Sequence, residues 1–527
     1  MRRPGPSPGA VDRGATPLPT VLAVLLVLGG LGGLVGLTGC GSAGTASGPV
    51  PGSAGAVIDP PVPAQEPPPV LPLVDSACRS AGGQAPETLQ ACISGTDAYI
   101  WGYAPLALAR LGAELTCLVG VDALLNATTP VGPGPAPVVP STVDSLTSAA
   151  WLDLRGGPEV LTVPAVRGRY VDFQFLDSAT NTFADVGVLT DGGRPGRYAV
   201  LGPGWQGSLP PGVIRLAAPS WDVLLLGRTA VTGPADLPAA LAVERGARLD
   251  PLGPRGAPTT PPGSVPPCAS SPATSPVPID ESGPPVFDEL AAVLADDPPP
   301  AQDAPLEAVM AAGGIVSGSE PSRSADPAVL AGYREALGLG PQLMALGAGQ
   351  ARKVTTTGWT TGRAVGSYGT DYLARALSAQ TELGSAPARQ AVTFRAGAAE
   401  TGGVLSGLHR YRLHFPPGRL PPTAPRVGQW SLSASDAQGH LPADPADPSG
   451  RTAIGSRTAG LRTNPDGSLD LYLATSPPPG HESNWLPVPP GSFSLVLRLS
   501  APDGAAAPPA PPRWAPPAIE LLDGPGY

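Results

Sequence analysis

Residues 141–187 read STVDSLTSAAWLDLRGGPEVLTVPAVRGRYVDFQFLDSATNTFADVG, and this stretch decides the fold. Its apolar runs are short and are separated by turns rich in glycine and proline, a pattern typical of antiparallel strands. Similar runs follow at 198–201 and 223–226, again split by Gly/Pro turns. This spacing favours a β-sandwich or jelly-roll over a sheet built of βαβ units.

Polar residues in this stretch form the first candidate site. Asp172 and Gln174 share one face of a predicted strand, because side chains alternate between the two faces, and Asp177, Asn181 and Asp185 follow them. Such carboxylates and amides could hold a hard cation, bind a sugar or supply an acid–base pair. Asp and Asn also cap turns after strands, so a structural role stays open. The predicted ligand-binding residues are Asp144, Asp177, Asn181, Asp185, Arg228, Arg375 and His414.

The net charge of −10 argues against a nucleic-acid partner, which requires a basic surface. The 69 glycines and 73 prolines cluster in linkers and turns, and the 527 residues are too many for one compact domain. The predicted organisation is a leader at 1–40, a Gly/Pro/Ala-rich tether at 41–73, an N-terminal domain at 74–255, a Pro-rich linker at 256–285 and a C-terminal domain at 286–520.

The N-terminus has the pattern of an export signal. Arg2 and Arg3 precede an apolar run at 21–37, and a small residue then precedes Cys40. This ending resembles the lipobox of bacterial lipoproteins, so Cys40 is the predicted lipidation site. An uncleaved membrane helix is the alternative. Either interpretation places the rest of the chain on the extracytoplasmic side, with the membrane as its partner.

Four further cysteines, Cys78, Cys92, Cys117 and Cys268, suggest two disulfides in an exported chain, with three connectivities open. Proximity favours Cys78–Cys92 with Cys117–Cys268. Among the helices, a run beginning at Pro86 is expected to kink, or to give way to a second helix, at Pro105.

Several well-known catalytic motifs are absent from the sequence. The chain has four histidines and no His-Glu-x-x-His, and it has no Gly-x-Ser-x-Gly. Pro203 lies within Gly202-x-Gly204-x-x-Gly207, which indicates a turn rather than a dinucleotide site. The residues therefore identify neither a cofactor nor a metal.

Eight short motifs occur in order through the N-terminal domain. They are Ala98-Tyr-Ile-Trp-Gly-Tyr103, Asp144-Ser-Leu, Ala150-Trp-Leu-Asp-Leu154, Leu161-Thr-Val-Pro164, Gly168-Arg-Tyr170, Asn181-Thr-Phe-Ala-Asp185, Gly202-Pro-Gly-Trp205 and Leu226-Gly-Arg-Thr229. Together they resemble a bacterial envelope family known as domain of unknown function 1254. Thr142 and Thr147 replace the Asn and Tyr that are usual in that family.

A second series of motifs lies in the C-terminal domain. It comprises Tyr368-Gly-Thr-Asp-Tyr-Leu-Ala-Arg375, Tyr411-Arg-Leu-His-Phe-Pro416, Leu420-Pro-Pro422, Trp430-Ser-Leu432, Ala453-Ile-Gly-Ser-Arg457, Asn484-Trp-Leu-Pro487 and Pro516-Pro-Ala-Ile519. These are similar to the companion domain of unknown function 1214.

The two resemblances imply a β-rich α+β fold of two β-sandwich or jelly-roll-like domains with peripheral helices. The expected function is binding or a structural role at the cell envelope, with a glycan or lipid-like ligand held between sheets. The alternative is an extracytoplasmic hydrolase that uses an Asp/His-based site and acts on a glycan or an ester.

Overall fold

The computed structural model describes residues 70–81, 85–133, 142–254, 279, 283–362, 366–437, 439–442, 450–504 and 514–522. Cys40, Cys268, the predicted leader and most of the predicted tether and linker lie outside these ranges. Within them, no helix has both the length and the apolar character needed to cross a bilayer.

The first sandwich contains nine strands. They are β1 (Leu125–Asn126), β2 (Ser145–Asp153), β3 (Glu159–Val163), β4 (Val171–Leu176), β5 (Thr182–Gly187), β6 (Gly196–Leu201), β7 (Val213–Ala217), β8 (Asp222–Ala230) and β9 (Arg248–Pro251). One sheet has the order β1-β2-β8-β4-β5 and the other has the order β7-β6-β3-β9. Their inner faces share one core, in which Phe173 and Leu225 of the first sheet pack with Leu161 and Val200 of the second.

The second sandwich is built from the C-terminal strands. They are β10 (Arg352–Val354), β11 (Thr360–Gly362), β12 (Ala391–Ala396), β13 (Tyr411–Phe415), β14 (Gln429–Ser435), β15 (Ala453–Gly455), β16 (Leu469–Ala474), β17 (Trp485–Pro487), β18 (Ser494–Ser500) and β19 (Ile519–Leu521). A six-stranded sheet, β10-β11-β12-β18-β14-β15, faces a four-stranded sheet, β17-β16-β13-β19. Phe394 and Leu497 of the larger sheet meet Leu413 and Leu471 of the smaller one in the core.

Seven α-helices accompany the sheets in the described ranges. They are α1 (Val70–Ser80), α2 (Pro86–Val119), α3 (Leu237–Gly246), α4 (Pro285–Asp296), α5 (Ala304–Ala312), α6 (Pro327–Ala351) and α7 (Tyr372–Glu382). Helices α2, α4, α5, α6 and α7 share an apolar core of their own, which includes Tyr99, Phe287, Met310, Tyr333 and Leu377. The β-rich class predicted from the sequence is confirmed.

Helix α2 joins the helical core to the first sandwich. Its first half lies among α4, α5 and α6, and its second half places Leu108 and Leu111 on Leu224 and Leu226 of β8. The expected start of a second helix at Pro105 is wrong, because α2 runs as one helix through that residue; the alternative, a kink at Pro105, stays a prediction. Burial on several sides outweighs the hydrogen bond that the proline removes.

The predicted disulfide between Cys78 and Cys92 is present and joins α1 to α2. Cys117 is also disulfide-bonded. The pairing of Cys117 with Cys268 stays a prediction, since Cys268 lies outside the described residues.

Candidate functional site

A row of polar side chains crosses the outer face of the first sheet. Thr147 of β2 and Asp172 of β4 both lie opposite Arg228 of β8, and Gln174 of β4 lies opposite Asp185 of β5. Directly opposed residues point to the same face of a sheet. The alternation of Asp172 and Gln174 with Val171, Phe173 and Phe175 therefore places the polar row outward and the apolar side chains in the sandwich core.

Arg228 is the centre of this row. One of its nitrogens, Nη1, donates to Gln174 Oε1 at 2.8 Å, and Nη2 donates to the carbonyl of Gly384 at 2.7 Å. Gln174 in turn donates to Thr182 Oγ1 at 2.8 Å and to the carbonyl of Ser385 at 3.0 Å. These bonds fasten the first sheet to the segment that follows α7.

Two fully buried carboxyl groups flank Arg228. Burial raises the pKa of Asp172 to about 7, although Arg228 and Arg498 both oppose the rise. Burial and the neighbouring Asp172 raise the pKa of Asp185 well above its ordinary value. Desolvation therefore dominates the electrostatics of this face.

The second domain covers the row with residues 384–390 and one face of β18. Arg389 donates to Asp185 Oδ2, and the Tyr170 hydroxyl donates to Gln390 Oε1 at 3.4 Å. Arg498 of β18 lies near enough to influence the charges of Asp172 and Tyr170. We call this contact the polar seam, made of Thr147, Tyr170, Asp172, Gln174, Asp185 and Arg228 on one side and Ser385, Arg389, Gln390 and Arg498 on the other.

Several buried atoms of the polar seam have no hydrogen-bond partner among the described residues. The acceptors are both carboxylate oxygens of Asp172 and Oδ1 of Asp185, the donors are Gln390 Nε2 and Arg498 Nη2, and the Thr147 hydroxyl can act either way. Leaving a buried polar atom unpaired costs about 1–3 kcal/mol, so a set of them in one place requires an explanation.

Asp144 lies at the margin of the polar seam. Its Oδ2 accepts from Ser431 Oγ at 2.8 Å, and its carbonyl accepts from Gln429 Nε2 at 3.1 Å. Ser431 lies opposite Arg498 in the β14–β18 pair, so Asp144 approaches the same face of the second sandwich. Its Oδ1 is buried and has no hydrogen-bond partner within the described ranges.

Asp177 and Asn181 instead form the turn between β4 and β5. Asp177 Oδ1 accepts from the amides of Ala179 and Asn181 at 3.0 and 2.8 Å. Asn181 Oδ1 accepts from the Tyr368 amide at 3.2 Å. Burial raises the pKa of Asp177, partly offset by the hydrogen bonds from Asn181. Asp177 therefore caps the turn, and Asn181 links the same turn to Tyr368 of the second domain.

Arg375 lies among the helices. Its guanidinium stacks 5.1 Å from the ring centres of both Trp101 and Tyr372, and it donates to the Trp101 carbonyl at 2.9 Å. Asp303 accepts from Trp101 Nε1 at 2.8 Å and from the Tyr372 hydroxyl at 2.7 Å. Burial lowers the pKa of Arg375. The arrangement joins α2 to α7.

His414 is in the four-stranded sheet of the second sandwich. Its Nδ1 lies 2.7 Å from Asp470 Oδ1 on the neighbouring strand, and Asn464 Nδ2 donates to Asp470 Oδ2 at 2.8 Å. His414 and Asp470 face each other directly in the β13–β16 register. Their contact is a cross-strand pair at the surface.

The predicted residues therefore occupy different places. Asp185 and Arg228 meet in the polar seam and Asp144 lies at its margin. Asp177 and Asn181 form a turn, and Arg375 lies near enough to Asp177 for the two charges to interact. His414 lies apart from both groups. Their role in ligand binding stays a prediction. The sequence reasoning missed Arg389, Gln390 and Arg498. A signal for Arg498 exists, because it is the one charged residue in the strand Ser494–Ser500.

Among the described residues, concavities occur away from the polar seam. A groove of about 660 Å³ lies between α2, α5 and α6, and a cavity of about 90 Å³ adjoins Trp151, Asp153 and Asp222. In the described ranges, His, Cys, Asp and Glu side chains do not gather in groups of three or more suited to a metal ion.

Comparison with a solved structure supports the fold, and a second match is weaker. The VPA0106 protein from Vibrio parahaemolyticus is 19% identical, with a TM-score of 0.59, and the match covers 82% of this chain and 100% of that one. A putative uncharacterized protein from Burkholderia cenocepacia is 11% identical with a TM-score of 0.36, over 85% and 98% of the two chains. No curated protein matches the chain.

Family models match both sandwiches. The model described as "Protein of unknown function (DUF1254)" matches residues 121–251, and the one described as "Protein of unknown function (DUF1214)" matches residues 390–504. The first match contains β1 to β9, and the second contains β12 to β18. The DUF1254 match thus contains one side of the polar seam, and the DUF1214 match contains Gln390 and Arg498 of the other side, which Ser385 and Arg389 complete from just before it. This protein combines, in N- to C-terminal order, a DUF1254 domain and a DUF1214 domain.

Proposed function

We propose that this protein binds a neutral, polyhydroxylated, glycan-like ligand at the polar seam between its two domains. We further propose that it does so at the extracytoplasmic side of the cell envelope, anchored by a lipid on Cys40. The observation that carries the binding proposal is the set of buried donors and acceptors in the polar seam that have no protein partner in the described ranges.

A hydroxyl group suits these atoms because it donates and accepts at once. Asp172 and Asp185 offer acceptors, and Gln390 and Arg498 offer donors. Sugar hydroxyls can satisfy both kinds together, whereas a hydrocarbon chain satisfies neither. This contrast favours a glycan over the lipid-like ligand considered from the sequence.

The burial of the site favours a neutral ligand. Asp172 and Asp185 are fully buried, and Arg228 is nearly so. A ligand with a net charge would have to give up its hydration in a region where burial makes charge costly. A ligand without charge would not.

The ligand approaches past Arg389. That side chain is 31% exposed, while its partner Asp185 is fully buried, so the ion pair runs from solvent into the seam. Displacement of residues 384–390 would open the row on the first sheet, because those residues supply the Gly384 and Ser385 carbonyls that hold Arg228 and Gln174.

Calorimetric titration with neutral chito-, cello- and malto-oligosaccharides tests the proposal. The decisive variant is Thr147→Val, which removes a buried hydroxyl without breaking a bond within the described structure. We expect wild-type protein to bind one of these series and Thr147→Val to bind it about tenfold more weakly, the value of one hydrogen bond.

The matched control is Thr162→Val, a half-buried threonine of β3 in the other sheet, which should bind as wild type does. Equal binding by wild type and Thr147→Val would exclude the polar seam as the site. Binding of phospholipid vesicles but of none of the oligosaccharides would overturn the glycan class.

A further inference from the structure

We propose that the polar seam is a proton-controlled latch, in which protonated Asp172 keeps the two domains closed and its ionisation loosens the contact. This inference concerns the regulation of the ligand site proposed above and rests on it. Its basis is the fully buried carboxyl group of Asp172 at the contact between the domains, both oxygens of which have no hydrogen-bond partner among the described residues.

The groups that face this carboxyl group and that of Asp185 come from both domains. Arg228 lies 3.7 Å from Asp172 on the same sheet without donating a hydrogen bond to it, and Tyr170 lies beside it. From the second domain, Arg389 bonds Asp185 and Arg498 lies near Asp172. Asp144 stands at the margin and adds a third carboxyl group.

Burial decides the direction of the effect. In the closed seam the ionised form of Asp172 accepts no hydrogen bond from a described residue, whereas in an opened seam water would solvate it. The closed form therefore binds the proton of Asp172 more tightly, which matches the raised pKa of that group. A state that binds a proton more tightly gains stability as the pH falls.

The latch should thus be closed in mildly acidic solution and should loosen above neutrality. Between pH 6 and pH 8, one unit below and one unit above a pKa of about 7, the closed form loses about a factor of ten in its equilibrium with the open form for that one proton. Since residues 384–390 cover the ligand site, ligand access should increase over the same range.

Hydrogen–deuterium exchange of the full chain at pH 6 and pH 8 tests whether the latch loosens as the pH rises. The measured exchange rates are corrected for the pH dependence of the intrinsic rate. In the wild type, we expect peptides spanning 384–390 to exchange about tenfold faster at pH 8. Asp172→Asn mimics the protonated acid in shape and charge, so it should keep most of the protection at both pH values.

Glu244→Gln is the matched control. Glu244 is also buried, and burial raises its pKa to about 7, but it bonds Ser148 on the far side of β2 from the seam contacts. This variant should retain the wild-type pH dependence at 384–390. Identical exchange of wild type and Asp172→Asn at both pH values would overturn the latch. Failure of every oligosaccharide to bind, with the pH effect present, would instead count against the proposed ligand alone.

Discussion

Arg228 lies 3.7 Å from Asp172 but gives its hydrogen bonds to Gln174 and Gly384 instead. The guanidinium therefore gives one hydrogen bond to Gln174 in its own sheet and one to Gly384 of the second domain. It acts on the carboxyl group of Asp172 through its charge alone. Burial and the nearby Arg498 lower the pKa of Arg228, which shows that its surroundings resist the charge. The stability of the domain contact should depend strongly on this one side chain.

Replacement of Arg228 by Met should destabilise the protein by about 3–5 kcal/mol, because it removes the guanidinium that lies 3.7 Å from the buried Asp172 and leaves the Gly384 carbonyl without its donor. Urea unfolding followed by circular dichroism measures this. Arg167→Met, at an exposed position before β4, should unfold at the wild-type urea concentration. An equally small change in unfolding free energy for both variants would contradict the role assigned to Arg228 in stabilising the domain contact.

Stability should increase as the pH falls from 8 to about 5. Burial raises the pKa of Asp97, Glu244 and Asp297 to about 7, so each binds a proton more tightly in the folded than in the unfolded chain. A group of this kind contributes stability below its unfolded pKa, and the contribution disappears as the pH rises through the folded pKa.

Glu244→Gln isolates one part of this effect. The variant should exceed the wild type in unfolding free energy by on the order of 1–3 kcal/mol at pH 8 and lose most of that advantage at pH 5. Urea midpoints at the two pH values provide the measurement. Glu400→Gln, in an exposed turn, is the control and should follow the wild type. An advantage of Glu244→Gln that is equal at both pH values would refute the explanation.

Gly332→Ala should destabilise the helical core. A Cβ at this position of α6 would lie 2.4 Å from the Thr88 carbonyl oxygen and 2.8 Å from the Cys92 nitrogen, both backbone atoms of α2 that cannot swing aside. Separation of the two helices should cost about 1–3 kcal/mol. Gly338→Ala, in the same helix with open space around its Cβ, should instead stabilise by about 0.5–1 kcal/mol. Thermal unfolding of the two variants should therefore shift in opposite directions.

Loss of the disulfide between Cys78 and Cys92 should cost about 3 kcal/mol, the value for a closed loop of roughly 15 residues. The double replacement Cys78→Ser and Cys92→Ser is preferable to a reducing agent, because Cys117 is in a disulfide as well. Urea unfolding under oxidising conditions measures the difference. An unchanged midpoint would mean that packing alone holds α1 on α2.

The strands of the first domain were predictable because alternation and turn residues are local signals. The run predicted at 198–201 lies within β6, and the run predicted at 223–226 lies within β8. Only the first-domain side of the polar seam could be predicted in this way. Asp172 and Gln174 are unusual because they are polar residues in a buried strand. The residues at 385–390 that bond Gln174 and Asp185 lie about 200 residues further along the chain. Such pairings arise from domain packing, which periodicity does not encode.

Helix α2 has a consequence for how this protein can be dissected. The segment matched by the DUF1254 model begins at residue 121, just after α2 ends at Val119, yet Leu108 and Leu111 of that helix cover Leu224 and Leu226. A fragment cut at the model boundary would expose this leucine surface together with the charged row beside it. The matched segment is thus smaller than the unit that buries its own apolar surface. Truncation studies should therefore keep α2 and residues 384–390 with the first sandwich, or they will report on aggregation in place of function.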